Sequence, residues 1–458
     1  MKKTKQKPCA ILIHMDTHLF PQNTKKTILA LGAESDGNFC IFKAGKIYFS
    51  ESFGDLLDEK NWQKYQDAVL EFLKNHGFKP DIILTDLHPL YFTSTWGEAL
   101  SIKYEARHIQ VQHHLAHIFS AIGDRIIQNS KFKTCLPVGK VQNCFYGVAM
   151  DGTGYGEDGK IWGGEVFKIS NLSNYLISKK NSKNKVKINR IGHLENQILI
   201  GGDLAVREPA RMLIGILEKV FSVSSSPSGR GCHEYVTDEG KDELKRKNTI
   251  FHYIKKYYSK NEFELIHNQL QQNFNCLETS STGRILDAVS LLLGFCENER
   301  KYKHEPIELL EANSEKPYAD LKPKIMLSQG KQVLNTTFLF EYLVKNLRKD
   351  KKRLATTAQL YIAQGLHEII EHNCHPERSP YSDEAEGSSS EHHQRYSIAD
   401  SSATLRCAQN DIFFSGGIAN NKIISDYLIS KGAYTNKKIP RGDAGLSFGQ
   451  VVYYLLLK

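Results

Sequence analysis

Two histidines four residues apart, His113 and His117 in the stretch "VQHHLAHIFSAI", head an apolar run in which Leu115, Ile118, Phe119 and Ile122 recur at helical spacing. On an α-helix both imidazoles leave the same face and could grip one cation, provided carboxylates arrive from elsewhere in the chain. The same spacing also fits a solvated histidine and one satisfied by a core carbonyl. Two acidic positions could complete a metal site. "FYGVAMDGTGYGEDG" reads as a strand ending in Asp151, with Gly152, Gly154 and Gly156 after it; an Asp at a strand end can reach a metal, and the glycines let phosphate or substrate approach the backbone. Asp443, in "IPRGDAGLSFGQ", lies between glycines ahead of a helix, where capping is the competing explanation. A third stretch, "DIFFSGGIANNKIISDYLISKG", runs from a hydrophobic strand through Ser415, Gly416 and Gly417 to Asn420 and Asn421 at the head of an amphipathic helix. Unpaired N–H groups there suit an anion, so the stretch is a candidate phosphate cradle, although it matches neither a Walker loop nor a dinucleotide fingerprint.

The elements that must hold these groups can be read from the hydrophobic pattern. "TILALGAESDG", "NFCIFKAG" and "KIYFSES" are short β-rich runs joined by Gly and Asp turns, which predicts an antiparallel meander. A helix at about 60–75 and a buried strand in "PDIILTDLHP" complete a βββαβ order. The order begins again at "FYGVAMDGTG", "KIWGGEVFKIS" and "INRIGHLE", succeeded by the helix "REPARMLIGILEKVF", so a duplicated α/β unit is the economical reading. Residues 374–410 are rich in Ser, Glu, His and Arg and read as a flexible insertion, and a second, shorter one falls around "KTCLPVGKVQN". His375, His392 and His393 lie in the first of these, with no preorganised element to aim them at a metal.

The 458 residues allow two or three domains with sizeable cores. The apolar run after the basic N-terminus is short and broken by His14, which argues against a signal peptide, and no window approaches a membrane span. Nine cysteines without a CxxC pair argue against a zinc ribbon or a secreted disulfide framework, so a cytoplasmic setting is expected. Much of the net charge of +9 sits in polar runs such as "MKKTKQK", "KKNSKNKVK" and "KNLRKDKKR", with no aromatic-interleaved basic strip; nucleic acid is not the expected partner.

In their order along the chain, these motifs resemble the C-terminal catalytic module of the HypF family of hydrogenase maturation carbamoyltransferases. Its relatives include antibiotic O-carbamoyltransferases and, more distantly, tRNA threonylcarbamoyl transferases. The resemblance runs from about residue 27 to the C-terminus and rests on "LALGAE", "FGDL", "DLHP" with Tyr91, "VQHHLAH", "DGTGYGEDGKIWGGE", "GGDLAVREPARM", "TGRILDAVSLLLG", "FSGGIANN" and "GDAGLSFGQ". It implies an α/β, two-lobed fold of the actin and sugar-kinase type, made of duplicated RNase H-like units. It also implies a basic tail at 1–26, a first lobe at 27–145 with the HxxxH helix, and a second lobe with the nucleotide-binding region at 146–458. By the same resemblance His113, His117, Asp151 and Asp443 hold one transition metal, Asp151 and Asp443 being catalytic; imidazole and carboxylate together suit iron or zinc better than magnesium. Gly152, Gly154, Gly201, Gly202, Asp203, Ser415, Gly416, Gly417 and Asn421 would bind an ATP/AMP-type nucleotide.

The implied reaction carries a carbamoyl group from carbamoyl-adenylate to the C-terminal cysteine of a HypE-like acceptor protein. With about 26 residues ahead of the resemblance, a separate YrdC-like protein is expected to make the adenylate. Two segments depart from the family. After Glu34 come Ser35 and Asp36, so a negative charge stands where the family has a lysine. The family's Tyr-Glu-Gly-Gln-Ala segment appears as "HEPIELLEA", His304 to Ala312, keeping Glu305 but with Pro306 in place of Gly. Two alternatives stay open, a non-catalytic or decayed nucleotide-binding subunit and a small-molecule O-carbamoyltransferase.

Overall fold

The buried apolar runs of the sequence become the central strands of two sheets. A computed structural model describes residues 14–22, 24–128, 144–172, 185–223, 239–374 and 412–457. Apart from Cys374, both expected insertions fall outside the described residues, as do His375, His392 and His393. The first lobe comprises β1 (Met15–Leu19), β2 (Ile28–Ala30), β3 (Cys40–Lys43), β4 (Lys46–Ser50), α1 (Glu59–Asn75), β5 (Ile82–Asp86), α2 (Phe92–Tyr104), β6 (Arg107–Val111) and α3 (His113–Gln128). Its six strands run β1-β4-β3-β2-β5-β6, antiparallel as far as β2 and parallel from β2 through β5 to β6. All of β5 is buried, as befits a parallel strand covered on both faces. α1 starts where Asp58 accepts hydrogen bonds from the N–H groups of Lys60 (2.9 Å) and Asn61 (3.1 Å), and it buries the stripe Tyr65, Ala68, Val69, Phe72 and Leu73. β1 corrects one expectation: part of the segment expected as a tail is an edge strand paired to β4.

The second lobe comprises β7 (Cys144–Tyr155), β8 (Ile161–Ser170), β9 (Lys187–Leu194), β10 (Gln197–Ile200), α4 (Asp203–Arg207), α5 (Pro209–Val223), α6 (Glu239–Ile254), α7 (Lys260–Gln271), β11 (Cys276–Thr279), α8 (Thr282–Leu293) and α9 (Glu305–Ala312). It continues through β12 (Ile325–Ser328), β13 (Lys331–Leu334), α10 (Thr336–Asn346), α11 (Lys351–Cys374), β14 (Ile412–Ser415), α12 (Lys422–Ser430) and α13 (Leu446–Leu457). β7, β8 and β9 form an antiparallel meander and β14 lies parallel to β7. β2, β3, β4 and β5 are related in the same way, so the unit expected from the sequence is present twice.

Two helices lie between the sheets. α3 packs on α13, β7 and β14, while α13 also reaches β2, β3 and β5 of the first lobe. Their shared core joins Ile118, Phe119 and Ile122 to Phe448, Val451 and Val452. A helix covered on both sides is buried almost all round, and every residue of α3 from His113 to Asp124 is buried. Chain ends and lobes therefore do not coincide, because the last helix of the chain covers the sheet of the first lobe.

Asp124 ties this layer to the loop ahead of Asp443. Its buried carboxylate accepts hydrogen bonds from the backbone N–H groups of Lys437 (3.0 Å), Lys438 (2.8 Å) and Ile439 (2.8 Å) and from the Tyr434 hydroxyl (2.6 Å). The clamp fixes that loop against the helix that carries His113 and His117. Asp124→Ala strands these donors in a dry site, so denaturant unfolding should show a loss of about 3 kcal/mol. A loss indistinguishable from that of an exposed Asp→Ala control would show that the clamp contributes little.

Candidate metal and nucleotide site

Each of the four expected metal ligands is placed by the end or the interruption of an element. His113 is the first residue of α3, and His117 stands one turn later. Asp151 lies in a bulge of β7, where pairing passes from Met150↔Gly164 to Gly154↔Trp162 and three residues oppose one. Such a bulge re-aims a side chain that the regular ladder would point elsewhere. Asp443 opens the short 3-10 turn Asp443–Gly445 that leads into α13. One ligand atom from each of the four lies within 4.8 Å of the others, and all four residues are buried. His113 Nε2 is 3.0 Å from Asp151 Oδ2 and 3.6 Å from Asp443 Oδ1; the corresponding distances from His117 Nε2 are 3.6 and 3.5 Å, and the two Nε2 atoms are 3.2 Å apart. Tetrahedral zinc with bonds of about 2.0–2.2 Å requires ligand separations of roughly 3.3–3.6 Å, so the donors stand close to coordination distance.

The hydrogen bonding fits a cation as well. Asp443 Oδ1 is buried, faces both imidazoles at 3.5–3.6 Å and has no hydrogen-bond partner among the described residues, which is unusual for a buried carboxylate oxygen unless an ion completes it. His113 Nδ1 is 2.7 Å from Asp86 Oδ2 at the end of β5, an arrangement that orients a metal-binding imidazole and raises its basicity. Burial alone would drive the proton from His113, but Asp86, Asp151 and Asp443 outweigh it and hold the imidazole well above 6.5; burial is likewise outweighed at His117 by Asp151 and Asp443. Burial would raise both carboxyls, and their mutual repulsion raises Asp151 further. The imidazoles reverse this at Asp151, and Lys303 with the imidazoles reverses it at Asp443, keeping both below the usual carboxylate range. Protons therefore hold the cluster together, and a metal bound there would have to displace them. His114 behaves differently: burial keeps it well below 6.5, and it packs against Trp162 with Nδ1 2.9 Å from Gln112 Nε2.

The glycine stretch meets this cluster at Asp151. Gly416 has φ +106°, and a Cβ there would sit 2.1 Å from the Met150 carbonyl oxygen, so only glycine fits. Gly417 N is 3.4 Å from Asp151 Oδ1. Ser415 is buried, with Oγ 2.9 Å from both Asn436 Oδ1 and the Arg441 carbonyl. Gly152 lies over the Arg284 guanidinium and Gly154 over the rings of His113 and His114. Asn420 is exposed, whereas Asn421 caps α12 through Ile424 N (3.1 Å) and donates to Gln359 (2.7 Å). Gly201 and Gly202 turn the chain from β10 into α4; Asp203, the first residue of α4, counters the burial that lowers the pKa of His88 in the first lobe.

Three residues to which sequence reasoning gave no role border the cluster: Asp86, Arg284 and Lys303. Asp86 ends a buried strand, the placement the sequence suggested for Asp151 as well, whereas β7 runs on past Asp151 to Tyr155; that strand-end position was the available signal. Arg284 is buried near Asp151, 3.0 Å from Asp287. Lys303 Nζ contacts Asp443 Oδ2 at 3.0 Å and Ser35 Oγ at 2.5 Å. In the altered segment, Pro306 stands in the first turn of α9, where its missing N–H costs nothing, and Glu305 accepts from Lys301 N at 2.5 Å.

Comparison with known proteins gives this geometry a context. The profile for the carbamoyltransferase Kae1-like domain, second subdomain, matches residues 147–379, and that for the HypF Kae1-like domain matches residues 23–124. A probable carbamoyltransferase HypF of Methanocaldococcus jannaschii is 33% identical over 447 residues, covering 95% of this chain and 47% of that protein. A carbamoyltransferase HypF of Synechocystis sp. is 29% identical over 302 residues, covering 64% and 33%. The chain spans about half the length of the curated relatives it matches most extensively. Among solved structures, T. kodakarensis HypF superposes with a TM-score of 0.70 at 27% identity, over 96% of this chain and 48% of the other. A full-length HypF in a phosphate- and nucleotide-bound form gives 0.71 at 21% identity, over 96% and 47%.

Purified protein should contain close to one transition metal per chain by elemental analysis. His113→Ala with His117→Ala should abolish that content without unfolding the protein, and Asp86→Ala should weaken affinity about 10- to 100-fold. Because binding must displace imidazole protons whose pKa values are raised, affinity should fall as pH drops toward 6.5, with proton release visible by calorimetry in different buffers. Undiminished metal in the double variant would refute the ligand assignment.

Proposed function

Since the chain belongs to the HypF carbamoyltransferase family, we propose that it transfers a carbamoyl group from carbamoyl-adenylate to the C-terminal cysteine of a HypE-like acceptor protein. The observation that carries the proposal is the double engagement of Asp151. One of its oxygens lies 3.0 Å from His113 Nε2 and the other 3.4 Å from Gly417 N, so the candidate metal group and the anion-binding loop share a residue. A donor joining a reactive carbonyl to a nucleotide phosphate requires such adjacency. The nucleotide-bound state of a HypF with the same fold supports the adenylate part of the reading.

The acceptor enters as a thiolate, its proton having passed to solvent. Sulfur forms a bond to the carbamoyl carbon, the bond from that carbon to the phosphate oxygen breaks, and AMP leaves with the electron pair. The glycines at 416 and 417 let the phosphate approach the backbone, the Gly417 N–H turning to it from Asp151 Oδ1 (3.4 Å) while the Gly416 N–H stays on the Arg441 carbonyl (2.8 Å), and the buried walls of the cluster keep water from the mixed anhydride. His113, His117, Asp151 and Asp443 would hold iron or zinc, which when bound supplies Lewis-acid polarisation of the donor. Asp86 keeps the His113 ring in the orientation this requires. Making the adenylate is a different reaction, and we assign it to a YrdC-like partner. No helix among the described residues is long and apolar enough to cross a membrane.

The test supplies metal-loaded protein with preformed carbamoyl-adenylate and an acceptor ending in cysteine, and tracks the acceptor by intact mass. Carbamoylated acceptor should accumulate, and Asp151→Ala or Asp443→Ala should slow it by roughly 100-fold or more. Protein that holds metal and nucleotide yet transfers nothing would exclude this reaction and favour a nucleotide-binding subunit.

A further inference from the structure

The cluster is crowded with negative charge that would repel an anionic donor. Asp86, Asp151 and Asp443 are buried in it, and Glu34 and Asp36 stand on the first-lobe turn beside it. Among the described residues, two cations of the second lobe, Arg284 and Lys303, border the cluster, and they differ in their commitments. Arg284 is buried and engaged by Asp287 at 3.0 Å and by the Val206 carbonyl at 3.3 Å. Lys303 is half-exposed, with 49% of its side chain accessible, and has one acceptor in each lobe: Asp443 Oδ2 at 3.0 Å and Ser35 Oγ at 2.5 Å. An ammonium has three N–H groups, so at least one can turn to a ligand while the Asp443 contact persists. The chain direction sets the amine near the anion loop as well. The next residue, His304, has its Cε1 4.0 Å from where a Cβ on Gly417 would stand.

We propose that Lys303 is a donor-binding residue: its ammonium leaves Ser35 for a phosphoryl oxygen of the donor, remains on Asp443, and so ties the donor to the carboxylate cluster. It supplies the positive charge that the Glu34-Ser35-Asp36 turn lacks. The donor's identity rests on the transfer reading above, whereas its anionic character follows from the available N–H of the Lys303 ammonium.

The test uses the full chain with AMP as probe. AMP affinity by calorimetry, metal content and the KM for carbamoyl-adenylate would be measured for the wild type, Lys303→Met and Lys303→Arg. Lys303→Met should weaken AMP about 10-fold, flatten the salt dependence of its binding and raise KM by a similar factor, with kcat and metal content little changed. Lys303→Arg should recover most of the loss. Unchanged AMP affinity and KM in Lys303→Met, loss of metal in that variant, or no AMP binding by the wild type would overturn the inference. If AMP binding shows the expected order while no variant transfers carbamoyl, the anion role of Lys303 stands and the proposed reaction falls. If the wild type transfers but Lys303→Met binds AMP and turns over normally, the reaction stands and the role of Lys303 falls.

Discussion

Two buried carboxylates cannot share a dry pocket unless positive charge joins them. Asp151 and Asp443 face that constraint, and much of the surrounding architecture serves to meet it. The central helix brings two imidazoles to the gap from one side, and Asp86 aims the first of them. A bulge turns Asp151 inward, and the clamp on Asp124 brings the loop ahead of Asp443 against the same helix. Lys303 approaches from the second lobe. Protons, an ammonium or a transition metal can each meet part of the demand, and a metal meets it with the donor set that imidazole and carboxylate offer.

Much of this was legible in the sequence because period and chemistry coincided. His113 and His117 had helical spacing on an apolar run, and a helix packed between two sheets must be apolar nearly all round, which α3 is. Asp151 was marked by a strand end and by glycines. What spacing could not convey was the bulge that aims it, since an irregularity in pairing depends on the partner strand. Asp86 carried the same strand-end signal without a glycine run beside it. Lys303 had no local signal: it acts through residues 268 and 140 positions away in the chain. Met15–Leu19 has no clean alternation and becomes a strand because β4 offers it an edge.

The departures from the family pattern have physical readings in the structure. Pro306, where the resemblance implies a glycine, stands at the beginning of a helix, so the backbone needs no unusual conformation there. Where the resemblance implies a lysine this chain has Asp36, and the opposing lobe delivers an ammonium to the neighbouring Ser35. Asn421 shows the opposite relation between motif and role. It belongs to a stretch that resembles a nucleotide loop, yet its side chain caps a helix and holds Gln359.

The proposed site depends on one residue, Asp151, reaching both a metal and an anion loop. Anomalous diffraction at the absorption edge of the bound metal, from crystals grown with AMP, tests it directly. The account predicts one peak about 2.0–2.3 Å from His113 Nε2, His117 Nε2 and a carboxylate oxygen of each of Asp151 and Asp443, with the AMP phosphate against Gly416 and Gly417. A peak bound by other residues, or a phosphate lodged away from the glycine loop, would contradict it.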